Sequence, residues 1–130
     1  MEDNELLRAA RRAAERASAP YSNFPVGAAV EATNGRVYLG CNIESASYGL
    51  TICAERVAIF AAVADGAVPA KLAVSCLRGD RSDATSLTPC GACRQIMLDQ
   101  MEPDAPVWID GVGQFTVIGL LPLGFRLPHT

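Results

Sequence analysis

The chain has 130 residues, half of them apolar and 19% charged, which suits one domain with a real core and argues against disorder. A net charge of −3 supplies none of the basic surface that grips nucleic-acid backbones, so a polynucleotide substrate is disfavoured. No stretch has the length and apolarity of a membrane span or a secretory leader, so a cytoplasmic home is expected, where five cysteines argue for metal or chemistry before disulfides.

In chain order, Asn4 to Ser18 reads as a helix with Leu6, Leu7, Ala10, Ala13, Ala14 and Ala17 on one stripe, capped by Asp3 or Asn4 and closed before Pro20. Two strand-like runs follow, Val26 to Ala32 and Arg36 to Asn42. The Asn34-Gly35 pair between them predicts a hairpin. A second helix is expected from about Thr51 to Ala64, stopped by Gly66 and Pro69. Lys71 to Leu77 has the nearly unbroken apolar character of a buried strand, and Arg78 to Ser86 reads as a polar loop. Thr88 as N-cap and Pro89 at the first helical position predict a third helix reaching about Met101. The runs APVWID and QFTVIGL read as two more strands, and LPLGF as a last turn. No linker or repeat interrupts the chain, so a single α/β domain over residues 1–130 is expected, with a mixed sheet and helices on its faces. Its wealth of alanine and valine suits close packing, between subunits as well as within one.

The cysteines divide into two groups. Cys41 and Cys76 fall in strand-like runs and read as small buried hydrophobes. Cys53, Cys90 and Cys93 each fall in the first turn of a predicted helix, where unpaired N–H groups and the helix dipole favour a thiolate. Cys90 and Cys93 alone fit a redox dithiol, but that leaves Cys53 and Glu55 without a role. A structural zinc site needs four protein ligands. Candidates for the fourth are Cys41, Cys76 and His129, and His129 is expected in solvent near the C-terminus. Three ligands with an open position form the catalytic pattern, in which zinc acidifies a bound water.

Glu55 stands beside this site as the candidate proton carrier. It lies at i+2 from Cys53 and is not placed to chelate with it. Three thiolates on Zn²⁺ leave a charge of −1, which opposes hydroxide formation. Two helix N-termini oppose that charge, and so does Arg56, at i+3 from Cys53 on the same face.

The pair CAE (Cys53 to Glu55) and PCGAC (Pro89 to Cys93) resembles the zinc-dependent nucleoside and base deaminases. Cysteine in the first motif looks like the small homotetrameric cytidine deaminases. So do APYSNFPVGAAV (Ala19 to Val30), GCNIESASYGLTICAER (Gly40 to Arg56), TPCGACRQ (Thr88 to Gln95) and LLPLGF (Leu120 to Phe125). The resemblance implies a three-layer α/β/α fold around a five-stranded mixed sheet, one Zn²⁺ on Cys53, Cys90 and Cys93, and Glu55 as proton shuttle. It further implies that Phe24 packs on the pyrimidine, that Asn42 and Glu44 hold the ribose hydroxyls, and that the Ala54 backbone meets the base carbonyl. Phe125 and Tyr48 are implied to approach the substrate of a neighbouring subunit in a homotetramer. The activity implied is hydrolysis of cytidine and 2′-deoxycytidine to uridine, 2′-deoxyuridine and ammonia in pyrimidine salvage, by zinc-bound hydroxide attacking C4. Rival readings are a deaminase of a blasticidin S-type antibiotic and a C-x-x-C thiol oxidoreductase. Arg94 and Gln95 receive no role.

Overall fold

The structure is a computed structural model and describes residues 3–128; His129, weighed above as a zinc ligand, lies outside the described residues. Helix α1 (Asp3–Ala14) leads into strands β1 (Val26–Ala32) and β2 (Val37–Cys41), helix α2 (Ala54–Ala64), strand β3 (Pro69–Cys76) and helix α3 (Gly91–Gln100). Strands β4 (Pro106–Ile109) and β5 (Gly113–Thr116) and the single turn α4 (Val117–Leu120) complete the chain. The sheet runs β2-β1-β3-β4-β5; β3 and β4 are parallel and every other neighbouring pair is antiparallel. The expected mixed five-stranded sheet is present.

The pleat assigns the layers. Ala28 and Val30 of β1 join Leu72 and Val74 of β3 in a core with Ala58 and Ile59 of α2 and Met97 of α3. Between them, Ala29 and Ala73 point to the other face and pack with Leu6, Ala9 and Ala10 of α1. One helix therefore covers one face and two helices cover the other, which gives the three expected layers.

Gly40 in β2 faces α2. A Cβ there would stand 2.5 Å from the amide nitrogen of Ala58 and closer still to the carbonyl oxygen of Ala54. Its absence lets the first turns of α2 lie directly against the sheet.

Several boundaries differ from expectation: α2 begins at Ala54, not Thr51, and β3 spans Pro69–Cys76, not Lys71 to Leu77. Helix α1 ends at Ala14, not Ser18, and Asp3, expected as a cap, is already helical. After Ala14 the amides of Glu15, Arg16 and Ala17 bond three residues back, and Ser18 then bridges to Ile43. The run QFTVIGL is not one strand: Thr116 accepts the Gly119 amide at 3.0 Å and starts α4. Helix α3 begins at Gly91 with Cys90 as its cap, not Thr88, whose hydroxyl instead donates to the carbonyl of Thr85 at 3.1 Å.

Candidate metal centre and active site

Helices α2 and α3 direct their N-termini at one point. Cys53 caps α2 in an extended conformation without using its side chain for a backbone amide. Cys90 caps α3, and its sulfur accepts the Cys93 amide at 3.5 Å. The sulfurs of Cys53, Cys90 and Cys93 all lie within 4.8 Å of one another, with 3.8 Å between Cys53 and Cys90. A tetrahedral zinc with Zn–S bonds of about 2.3 Å spaces its sulfurs by about 3.8 Å, so the donor set and its spacing fit that ion.

The surroundings favour negative sulfur. The Nη2 of Arg56 donates to Cys53 Sγ at 3.3 Å, from the i+3 position expected. Arg56 Nε is buried without a hydrogen-bond partner among the described residues. A hydrogen bond from Cys93, then the bonds from Arg56 and Cys90, draw the Cys53 thiol down to about 5. The same bond to Cys53, together with burial, drives Cys93 upward. The pair is thus biased toward a thiolate at Cys53 and a thiol at Cys93.

Glu55, 4% exposed, follows Cys53 in the first turn of α2. Burial raises its carboxyl to about 7, and the neighbouring Cys53 charge adds to the effect.

A cavity of about 350 Å³ opens onto these groups, lined by Phe24, Asn42, Glu44, Ala54 and Glu55 together with Cys53 and Cys90. An adjoining cavity of about 360 Å³ shares Ser22, Glu44 and Thr51 with it and adds Tyr21, Ser45 and Tyr48. Neither lining includes a lysine, arginine or histidine.

The expected sugar-binding pair is already engaged with the protein. Asn42 accepts the Val26 amide through Oδ1 and donates to the Phe24 carbonyl through Nδ2, both at 2.9 Å. Glu44 accepts the amides of Tyr21 at 3.0 Å and Ser22 at 3.1 Å, and also the Ser22 hydroxyl. Each side chain keeps part of its hydrogen-bonding capacity for a ligand.

Tyr48, 81% exposed, reaches only the adjoining cavity. Phe125, 67% exposed, lines neither; it sits with Gln95 in a separate surface hollow.

Several residues gain roles that the sequence did not suggest. Arg94 donates to the carbonyls of Pro89 (2.8 Å) and Leu120 (2.9 Å), tying the cysteine turn to α4. Gln95 donates to the carbonyl of Phe125 at 2.8 Å and so tethers the C-terminal segment. Cys76, pushed up to about 11 by burial, lines the cavity as a neutral thiol. The only signal for Arg94 and Gln95 was their position just after the cysteine motif, which carries no chemistry by itself.

Three convergent thiols, a buried carboxyl beside them and a cavity above define a zinc centre of the catalytic kind. The family model described as "Cytidine and deoxycytidylate deaminase zinc-binding region" matches residues 1–106. A cytidine deaminase of Sporosarcina psychrophila is 42% identical over 130 residues, covering 96% of this chain and 92% of that protein. The solved cytidine deaminase of Burkholderia pseudomallei superposes with a TM-score of 0.86 at 42% identity, covering 96% of this chain and all of that one. That of Mycobacterium tuberculosis gives 0.84 at 36% identity, covering 98% and 99%. The chain belongs to the cytidine and deoxycytidylate deaminase family, and its cofactor is zinc.

Proposed function

We propose that this protein is a cytidine deaminase: it hydrolyses cytidine and 2′-deoxycytidine to uridine and 2′-deoxyuridine with release of ammonia. The observation that carries the reading is a buried carboxyl, Glu55, beside three sulfurs spaced for one zinc at the floor of a nucleoside-sized cavity. Cys53, Cys90 and Cys93 hold the ion, which when bound supplies a water acid enough to ionise near neutral pH.

Glu55 would take one proton as water adds to C4 of the pyrimidine and pass it to N3; it would then take the remaining proton of the added hydroxyl and pass it to the amine, which leaves as ammonia as the C4 carbonyl forms. Its burial keeps bulk water from competing for the proton. Arg56 offsets the excess negative charge of three thiolates through its bond to Cys53. Phe24 packs on the base, the Ala54 backbone meets the base carbonyl, and Asn42 and Glu44 use their remaining capacity on the sugar hydroxyls.

Nucleosides are favoured over nucleotides. A 5′-phosphate would enter two adjoining cavities whose linings offer no basic side chain, and it would lie near the Glu44 carboxylate. A phosphate dianion left there without a cationic partner is costly.

One deaminase domain over residues 1–130 assembles in this reading as a homotetramer with shared sites. Supporting it, the outer face of α2 exposes Phe60 and Val63, and Tyr48 and Phe125 stand largely uncovered outside the metal cavity. The proposed setting is pyrimidine salvage in the cytoplasm. The five free cysteines suit that compartment, and no helix among the described residues is long and apolar enough to cross a membrane.

An ultraviolet assay of cytidine, deoxycytidine, cytidine monophosphate and blasticidin S tests the assignment, before and after zinc removal. Turnover of the two nucleosides that is lost with zinc and regained on its return supports it. Turnover confined to the antibiotic, or disulfide reduction by zinc-free protein, contradicts it.

A further inference from the structure

The two side chains expected to hold the sugar are wound into the segment that carries the aromatic ring expected to hold the base. Asn42 clamps the Phe24 carbonyl and the Val26 amide, and Glu44 gathers the amides of Tyr21 and Ser22. Between them lies one hydroxyl with two bonds: Ser22 Oγ donates to Glu44 Oε2 and accepts the Phe24 amide at 3.1 Å. Asn23, left-handed at φ 54°, turns the chain so that this hydroxyl can reach the amide two residues on. Ser22 also lines both cavities.

Glu44 Oε1 spends both lone pairs on the two amides, and Oε2 spends one on Ser22. A single acceptor position remains for a ligand, and its direction is set by the serine that fills the other.

We propose that Ser22 is a positioning residue that couples sugar recognition to base recognition. By holding the Glu44 carboxylate and the Phe24 backbone with one hydroxyl, it fixes the distance between the two grips. It touches neither the metal nor the reacting atoms. Its contribution therefore belongs to binding that is equal in ground and transition states, and its loss raises KM while leaving kcat in place. The proposal rests on the reading of Glu44 and Phe24 as substrate contacts.

The test uses zinc-loaded enzyme and cytidine. Ser22→Ala, at an exposed position, is expected to keep zinc content and Tm while raising KM about ten-fold, with kcat within about two-fold. Ser22→Thr keeps the hydroxyl and should restore KM to within about three-fold of the parent. In a Glu44→Gln background, Ser22→Ala should cost clearly less than it does alone, because the two act through one contact.

An unchanged KM in Ser22→Ala, with Glu44→Gln impaired, would overturn the Ser22 proposal alone. So would strict additivity, a loss of kcat at constant KM, or failure of threonine to rescue. Parental KM in Glu44→Gln would instead remove Glu44 from the sugar, and the coupling with it.

Discussion

One side chain, Arg56, is proposed to set the charge of the metal centre. Three thiolates overcharge a dication, and the guanidinium 3.3 Å from Cys53 Sγ is the nearest compensating charge seen in the structure. Its planar fork is bonded to that sulfur, while its buried Nε has no hydrogen-bond partner among the described residues. Arg56→Gln is expected to retain zinc, lower kcat by about ten-fold, and move the acidic limb of the pH–rate profile to higher pH, since water ionises less readily on a more negative centre. A pH–rate profile checks this; an unchanged profile would remove Arg56 from the chemistry. The three cysteines and Glu55 could be found in the sequence because short-range spacing carried them: C-A-E at one helix start and C-x-x-C at another. The bonds that Asn42 and Glu44 make within the protein could not, because their partners lie 16 to 23 residues earlier and only the folded segment Tyr21 to Val26 brings them together.

At the scale of elements, the sheet positions the helix N-termini, and Gly40 is where it does so most tightly. Gly40→Ala would drive a Cβ against the Ala58 amide and the Ala54 carbonyl, pushing away the turn that carries Cys53 and Glu55. The expected outcome is a loss of about 1–3 kcal/mol in urea unfolding, with weakened zinc retention. Elements with strong local signals were legible in advance: β1 was expected over the residues it occupies, because Asn34-Gly35 marks its end. Elements decided by a single capping bond were not. The run Val117 to Leu120 is apolar enough for a strand until Thr116 caps it as a helix, and the Cys90 sulfur takes the capping place that the Thr88-Pro89 pair predicts for Thr88.

Across the whole molecule, Asp110 ties distant parts behind the active site. It is buried after β4, accepts two bonds from Arg11 of α1 at 2.7 Å each, and accepts the Ser75 hydroxyl at 2.8 Å. Arg81, from the loop leading to the cavity wall, approaches at 3.5 Å. Gly111 leaves the room for this approach, since a Cβ there would collide with the Arg81 guanidinium. The Arg11 bonds hold Asp110 down at about 2, below the ordinary carboxylate value. A depressed folded-state pKa means that the contribution is complete above about pH 4 and is lost as pH falls toward 2. Asp110→Asn should therefore lose about 1–3 kcal/mol at neutral pH, and its deficit against the parent should shrink in acid. Urea unfolding of both proteins at pH 7 and pH 3 reads the difference; a deficit independent of pH would contradict the charge argument. This network spans 99 residues of sequence, and nothing in the local pattern around Arg11 or Asp110 announces it.

Zinc on three cysteines and a proton carried by Glu55 are proposed to deaminate cytidine together. The most direct test is the turnover of cytidine by Glu55→Gln protein carrying one zinc per chain. Fold and metal are expected to be intact, with turnover reduced by at least about a hundred-fold. Parental turnover in that zinc-loaded variant would contradict the proposal.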